Sequence, residues 1–109
     1  MKFVPAAVAG LAIFHASIAD AALDNAAAEA LMKKYGCAAC HSIDKKIVGP
    51  AYVDVAAKYR SDKNAVAVLS KKVKDGSVGV WGQIPMPPNA AVPAAEVTEI
   101  VTWITTLKK

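Results

Sequence analysis

Residues 37–41 read Cys-Ala-Ala-Cys-His, and this run constrains the rest of the chain more than any other. Two thiols at this spacing can form thioether bonds with the two vinyl groups of a haem. A histidine directly after the second thiol is then held beneath the ring, where its imidazole can bind iron. C-x-x-C-H is the attachment pattern of c-type haem. Three other chemistries use such a pair. Thioredoxin-like redox sites place C-x-x-C in a βαβ context, and no strand alternation of any length is present here. A zinc site needs about four Cys or His donors. Cys37 and Cys40 are the only cysteines, and the other histidine, His15, lies in a segment expected to be removed, so zinc would have to recruit carboxylates. A disulfide spanning so few residues would be strained. Haem is the reading whose demands this sequence meets, with Cys37 and Cys40 as covalent anchors and His41 as one axial iron ligand.

The opening of the chain reads as an address. Lys2 is a positive start, Phe3 to Phe14 is apolar apart from Pro5 and Gly10, and Ala19-Asp20-Ala21 offers small residues for a signal peptidase. The apolar run falls short of the roughly 20 residues that a membrane span needs. Residues 1–21 are therefore expected to be a cleaved signal peptide, uncertain by about a residue, and 22–109 one small domain exported to the periplasm. An uncleaved anchor is the alternative. The net charge of +4 survives cleavage, because Lys2 and Asp20 leave together. No stretch combines dense Lys and Arg with a nucleic-acid-reading motif, so the charge suits acidic protein partners better than nucleic acid. A mature chain this short gains from a large apolar body to fold around.

Helical periodicity dominates the mature chain. Asn25 to Tyr35, capped by Asp24 or Asn25, places Ala28, Leu31, Met32 and Tyr35 on one face, and Gly36 stops it. Ser42 to Pro50 is a loop. A short helix over about 51–58 carries Tyr52, Val55, Ala56 and Tyr59. A third, over about 63–75 with Asp62 as its cap, carries Val66, Leu69 and Val73 and leaves Lys71, Lys72 and Lys74 exposed. A last helix from about Pro93 to Leu107 bears the stripe Val97, Ile100, Val101, Ile104 and Leu107, flanked by Trp103, and should pack across the first. The expected class is all-α, with about four helices wrapped round one haem. Between the third and fourth helices, Ser77 to Val92 has no helical period. Structureless stretches of this length are usually functional or disordered, and Trp81 and Met86 argue against disorder.

That stretch supplies a second iron ligand. Met1 leaves with the signal peptide, and Met32 lies on a core-facing stripe, where methionine ordinarily fills space. Met86 sits in Ile-Pro-Met-Pro-Pro. The prolines fix φ and remove backbone donors, which stiffens the segment that presents the sulphur. The plainer alternative is a methionine packed in an ordinary loop. A thioether opposite His41 favours ferrous iron and raises the potential. With both axial positions filled, no substrate reaches the metal. No Ser-His-Asp triad can form either, because His41 is the one mature histidine. These are the properties of an electron carrier rather than an enzyme.

Residues 36–41, 48–52, 54–59 and above all Gly79-Val80-Trp81-Gly82-Gln83-Ile84-Pro85-Met86-Pro87-Pro88-Asn89 resemble the small single-haem class I cytochromes c of bacteria, of the c-551/c-552 (c8) type. The resemblance covers essentially the whole mature chain. It implies the cytochrome c fold and one covalent haem c. It also implies that the Pro50 carbonyl accepts a bond from His41 Nδ1, that Asn89 donates to the Met86 sulphur, and that Trp81 donates to a haem propionate. Tyr59, Leu69 and Val73 would wall the haem. Lys72 stands where many relatives carry an arginine near the propionates, and a lysine offers a point charge instead of a planar fork. Pro93 stands where relatives often have a capping residue. The implied function is one-electron transfer between respiratory complexes and terminal reductases or oxidases, nitrite reductase among them, by a monomer without permanent membrane insertion. A patch of Ala38, Ala39, Ile84, Pro85, Pro87 and Pro88, with Lys71 and Lys72 nearby, would meet the partners. The alternatives are a gas-binding or sensing haem protein and an electron-entry subunit of a larger enzyme.

Overall fold

The last helix is the element on which the others pack. The computed structural model describes residues 23–109 together with Lys2, Phe3 and Gly10. The expected signal segment otherwise lies outside the described residues. Four α-helices follow in order: α1 (Asn25–Lys34), α2 (Tyr52–Tyr59), α3 (Ala65–Asp75) and α4 (Ala94–Thr106), with a 3-10 turn at Cys37–Ala39. The described residues contain no strand, only isolated bridges at His41–Lys46 and Ser77–Met86. None of the described helices is long and apolar enough to cross a membrane.

The stripe of α4 explains its central place. Val97, Ile100, Val101 and Ile104 are all buried, so this helix offers apolar surface to several neighbours at once. It packs most extensively on α3, then α2, and less on α1. The expected crossing with α1 is present but is the smallest of the three contacts. Only Ala28 and Met32 of α1 are fully buried, so α1 has little apolar width to offer. Two polar links fasten that crossing. Trp103 Nε1 donates to Asn25 Oδ1 at 3.0 Å, and the Tyr35 hydroxyl donates to the Glu96 carboxylate. Trp103 is not a flank of the stripe, as its spacing suggested, but is 1% exposed. Its N–H can be buried because Asn25 receives it.

Helix boundaries follow local chemistry. The Asp24 carboxylate accepts from Ala27 N at 2.7 Å, and Gly36 takes φ 77° after α1. α3 starts later than expected, at Ala65. Asp62 Oδ1 accepts from Asn64 N at 2.8 Å, so its side chain serves the preceding turn instead of capping the helix. Pro93 sits just outside α4, and its carbonyl accepts from Glu96 N and Val97 N, each at 3.0 Å. Lys71 is exposed beside Asp75, at 2.8 Å, a surface pair that adds little stability. Lys74 is not a solvated residue: its Nζ donates to Ala90 O at 2.9 Å and Val92 O at 2.6 Å. It ties the end of α3 to the approach to α4.

The stretch after α3 doubles back on itself. Ser77 N donates to Met86 O at 3.1 Å, Met86 N donates to Ser77 O at 2.7 Å, and Gly79 N donates to Gly82 O at 2.9 Å. Met86 is thereby returned to the base of α3. Replacing Trp103 with alanine should cost about 3–5 kcal/mol, the usual range for emptying a buried aromatic site. Denaturant unfolding of the haem-loaded protein measures it, and a loss below about 1 kcal/mol would place Trp103 outside the core.

Candidate functional site

One cleft gathers nearly every residue singled out by sequence. Cys37, Cys40, His41, Pro50, Leu69, Lys72, Val73, Trp81, Met86 and Asn89 all line it. Its walls come from distant parts of the chain: the 3-10 turn, the start of α2, the inner faces of α3 and α4, and the doubled-back loop. Apolar residues dominate, including Val55, Val97, Ile100, Val101 and Ile104. Such a lining suits a large flat hydrophobic group with a few placed polar contacts.

The turn that carries the two thiols is held by its own backbone. His41 N and Cys40 N both donate to Cys37 O, at 2.9 and 3.1 Å. The residues after His41 then act as a cap for α2. Tyr52 N donates to Ser42 O and Val53 N to Ile43 O, each at 3.0 Å. Ala51, the cap residue, has no side chain for that task. The start of α2 is thus tied to the strip of chain that presents the imidazole.

The imidazole itself is gripped on several sides. His41 Nδ1 donates to Pro50 O at 2.8 Å, which leaves Nε2 as the free lone pair. A partner of this kind sets a histidine ligand's tautomer and ring orientation. Tyr52 stacks on the ring, with centroids 4.9 Å apart and planes 18° apart, and meets Trp103 edge-on at 5.9 Å. Gly49 lies flush against the imidazole. A Cβ added there would meet His41 Cε1 in outright overlap, with Nδ1 at 2.9 Å and Nε2 at 3.0 Å. The fit of residues to a haem is therefore good: a histidine with its far nitrogen free, two thiols on the adjoining turn, an apolar slot, and a methionine on the loop that closes it.

Two expectations are corrected, at Tyr59 and Asn89. Tyr59 does not line the cleft; it is half-buried against the core from the end of α2. Tyr52, nearer His41 on that helix and read as an ordinary core residue, takes the wall position instead. Asn89 Nδ2 donates to Pro87 O at 3.1 Å and Val73 O at 3.3 Å, not to the Met86 sulphur. Its side chain fastens the loop to α3. Trp81 is 42% exposed at the rim, with Lys58 Nζ 5.6 Å from its ring centre. Gly49 was legible only as loop punctuation, since nothing in the sequence announces that an imidazole packs on it.

Burial tunes two groups. It pushes the Cys37 thiol above the usual thiol range, opposed by a backbone hydrogen bond and the Tyr52 hydroxyl. It also raises Tyr52 far above the ordinary tyrosine value, with Cys37 adding to the shift. Before any haem is attached, both groups stay neutral at ordinary pH. Among the described residues no group of three or more His, Cys, Asp or Glu side chains is placed to hold a bare metal ion.

Two substitutions test this geometry. Gly49→Ala must push the imidazole off its Pro50 partner, and overpacking of this kind costs about 1–3 kcal/mol. The check is denaturant stability together with the magnetic-resonance signature of the His41 imidazole. A variant with both unchanged would show that Gly49 and His41 do not touch. For Tyr52, a folded-state pKa raised above the unfolded one stabilises the fold below the usual tyrosine range. That stability is lost as pH climbs beyond it, at about 1.4 kcal/mol per pH unit traversed. The wild type should therefore lose more stability than Tyr52→Phe between neutral and strongly alkaline pH. Parallel curves would refute this.

Known proteins match this chain across the same residues. The family model for cytochrome c matches residues 25–108. Cytochrome c-551 of Allochromatium vinosum is 61% identical over 74 residues, covering 68% of this chain and 79% of its own. Cytochrome c-552 of Hydrogenobacter thermophilus is 45% identical over 107 residues, 98% of each chain. The crystal structure of wild-type Nitrosomonas europaea cytochrome c552 superposes with a TM-score of 0.71 at 51% identity, covering 73% of this chain and 99% of that one.

Proposed function

The chain belongs to the cytochrome c family, and from that premise we propose that it is a periplasmic one-electron carrier whose single haem c is held by Cys37 and Cys40 and ligated by His41 and Met86. Membership in the family implies one covalently bound haem c, and the chain carries the two cysteines and the histidine this requires. Bound haem supplies a one-electron ferrous–ferric couple at its iron. The protein's residues decide how that couple behaves.

The observation that carries the reading is the single cleft that has His41 and Met86 in one lining, with both thiols at its edge. The Pro50 bond at 2.8 Å leaves Nε2 as the ring's free donor. Tyr52 and Gly49 then keep the imidazole from turning. Met86 is held to the base of α3 by the pair of bonds with Ser77. A neutral sulphur donor favours the ferrous state and raises the potential. Ligands held this firmly on both sides change little between oxidation states, so electron transfer needs little reorganisation. Neither ligand leaves room for a substrate, so the alternative of a gas sensor requires Met86 to depart easily.

Trp81 and Lys72 belong at the polar edge of the slot, where haem propionates would meet an indole N–H and an ammonium. Ile84, 68% exposed, and Val78, 62% exposed, mark the apolar rim. A rim of this kind beside lysines fits brief docking to acidic redox proteins, steered by charge. Donor complexes and terminal reductases or oxidases are the expected classes of partner. The signal-like segment at residues 1–21 supports export.

Replacing Met86 with alanine should lower the reduction potential and let carbon monoxide bind the ferrous protein, which the wild type should resist. Rapid and complete binding by the wild type would instead favour the sensor. N-terminal sequencing of the exported protein should begin at or next to Ala22. A mature form that begins at Met1 would refute cleavage and favour the uncleaved anchor.

A further inference from the structure

We propose that Gly76 is a positioning residue for the iron-binding sulphur: the last turn of α3 seats the Met86 segment, and the seat works only without a side chain at position 76. This rests on the reading of Met86 as an axial ligand.

Among the described residues four glycines have positive φ: Gly36, Gly76, Gly79 and Gly82. At Gly36, Gly79 and Gly82 an added Cβ would meet nothing within 4 Å. Gly76 alone is crowded. A Cβ there would stand 2.6 Å from Met86 O, 3.0 Å from Pro88 N and 3.2 Å from Pro87 C. Its own backbone, φ 78° and ψ 170°, lies in a region essentially reserved for glycine. What presses on Gly76 is main chain, with two of the three atoms in prolines, so it cannot rotate aside as a flexible side chain would. Clearing the overlap means moving Met86 O from 2.6 Å to 3.4 Å or beyond, the start of ordinary contact.

The neighbouring bonds converge on the same turn. Ser77 and Met86 exchange two backbone bonds. Val73 O accepts from Asn89 N at 2.9 Å and from Asn89 Nδ2 at 3.3 Å. Lys74 reaches over to the carbonyls of Ala90 and Val92. Residues 86–92 are thus laid on the C-terminal turn of α3, and Gly76 is the point of closest approach. A methyl group there levers Met86 away from its place in the cleft. A sulphur ligand is sensitive to such a shift, because a site misplaced by about an ångström is a common way for a designed constellation to fail.

The test compares wild type, Gly76→Ala and Gly36→Ala, all haem-loaded. Gly36 also follows a helix and has positive φ, but with ψ 8° it lies in the left-handed helical region, and its Cβ would point into open space. It therefore reports the milder strain of a left-handed alanine without the push on Met86. The readouts are the weak near-infrared band of sulphur-ligated ferric haem and the affinity for added imidazole. Gly76→Ala should weaken or abolish the band. It should bind imidazole about tenfold more tightly or better, since apparent affinity follows the fraction of open iron. Gly36→Ala should keep the wild-type band and affinity while losing stability. Wild-type values in Gly76→Ala would overturn the proposal, as would equal losses in both variants.

Amide exchange in the wild type gives a second arm, independent of whether any variant folds. Imidazole binding should expose the Ser77 and Met86 amides and leave those in the middle of α3 protected. Unchanged protection at both positions would overturn the proposal. A wild type without the sulphur band would refute Met86 ligation itself and this inference with it.

Discussion

The orientation of one imidazole organises the molecule. His41 has a single ring nitrogen to spare, because the other donates to the carbonyl of Pro50 at 2.8 Å. That bond needs the chain to turn back within nine residues, and the turn needs Gly49, whose missing side chain lets the ring lie against the backbone. The same loop delivers Ser42 and Ile43 carbonyls to the first amides of α2. α2 then places Tyr52 over the imidazole and against Trp103 of α4. A local demand, one ring nitrogen tied down and the other left free, is transmitted in this way to the core.

The opposite wall is built on a different principle. The imidazole is held by a short loop and a stacked ring, whereas Met86 is held by a long loop with no helix of its own. Long loops cost conformational entropy, and this one is secured at its base. Ser77, Val73 and Lys74 provide hydrogen bonds, and the prolines limit what remains to be ordered. Between the walls lie the apolar faces of α3 and α4. A small chain that surrounds a haem in this way gains an apolar body that its own side chains cannot supply.

Much of this was legible in the residues. Cys37, Cys40 and His41 declare their chemistry by spacing, and the periodicity of α4 shows in the sequence because apolar residues recur at helical intervals. Met86 could be found by elimination and by its prolines. What stayed hidden depends on packing between segments far apart in sequence. Trp103 looked like a flank because its indole partner, Asn25, lies 78 residues away. Tyr59 and Tyr52 sit on the same helix, and periodicity alone could not tell which one faces the cleft. Asp62 looked like a cap, yet its carboxylate is taken up by the turn before α3. Lys74 looked solvated because nothing local reveals the carbonyls of Ala90 and Val92. Gly49 and Gly76 are the clearest case: their importance is the absence of a side chain where another part of the chain comes close.

The proposed carrier function depends on iron held from both faces, by the His41 nitrogen on one side and the Met86 sulphur on the other. X-ray absorption at the iron edge of the purified protein measures this directly in both oxidation states. One sulphur scatterer at bonding distance is predicted in the ferric and the ferrous protein alike, with nitrogen making up the rest of the shell. A shell of nitrogen and oxygen alone, or a sulphur present in only one state, would contradict it.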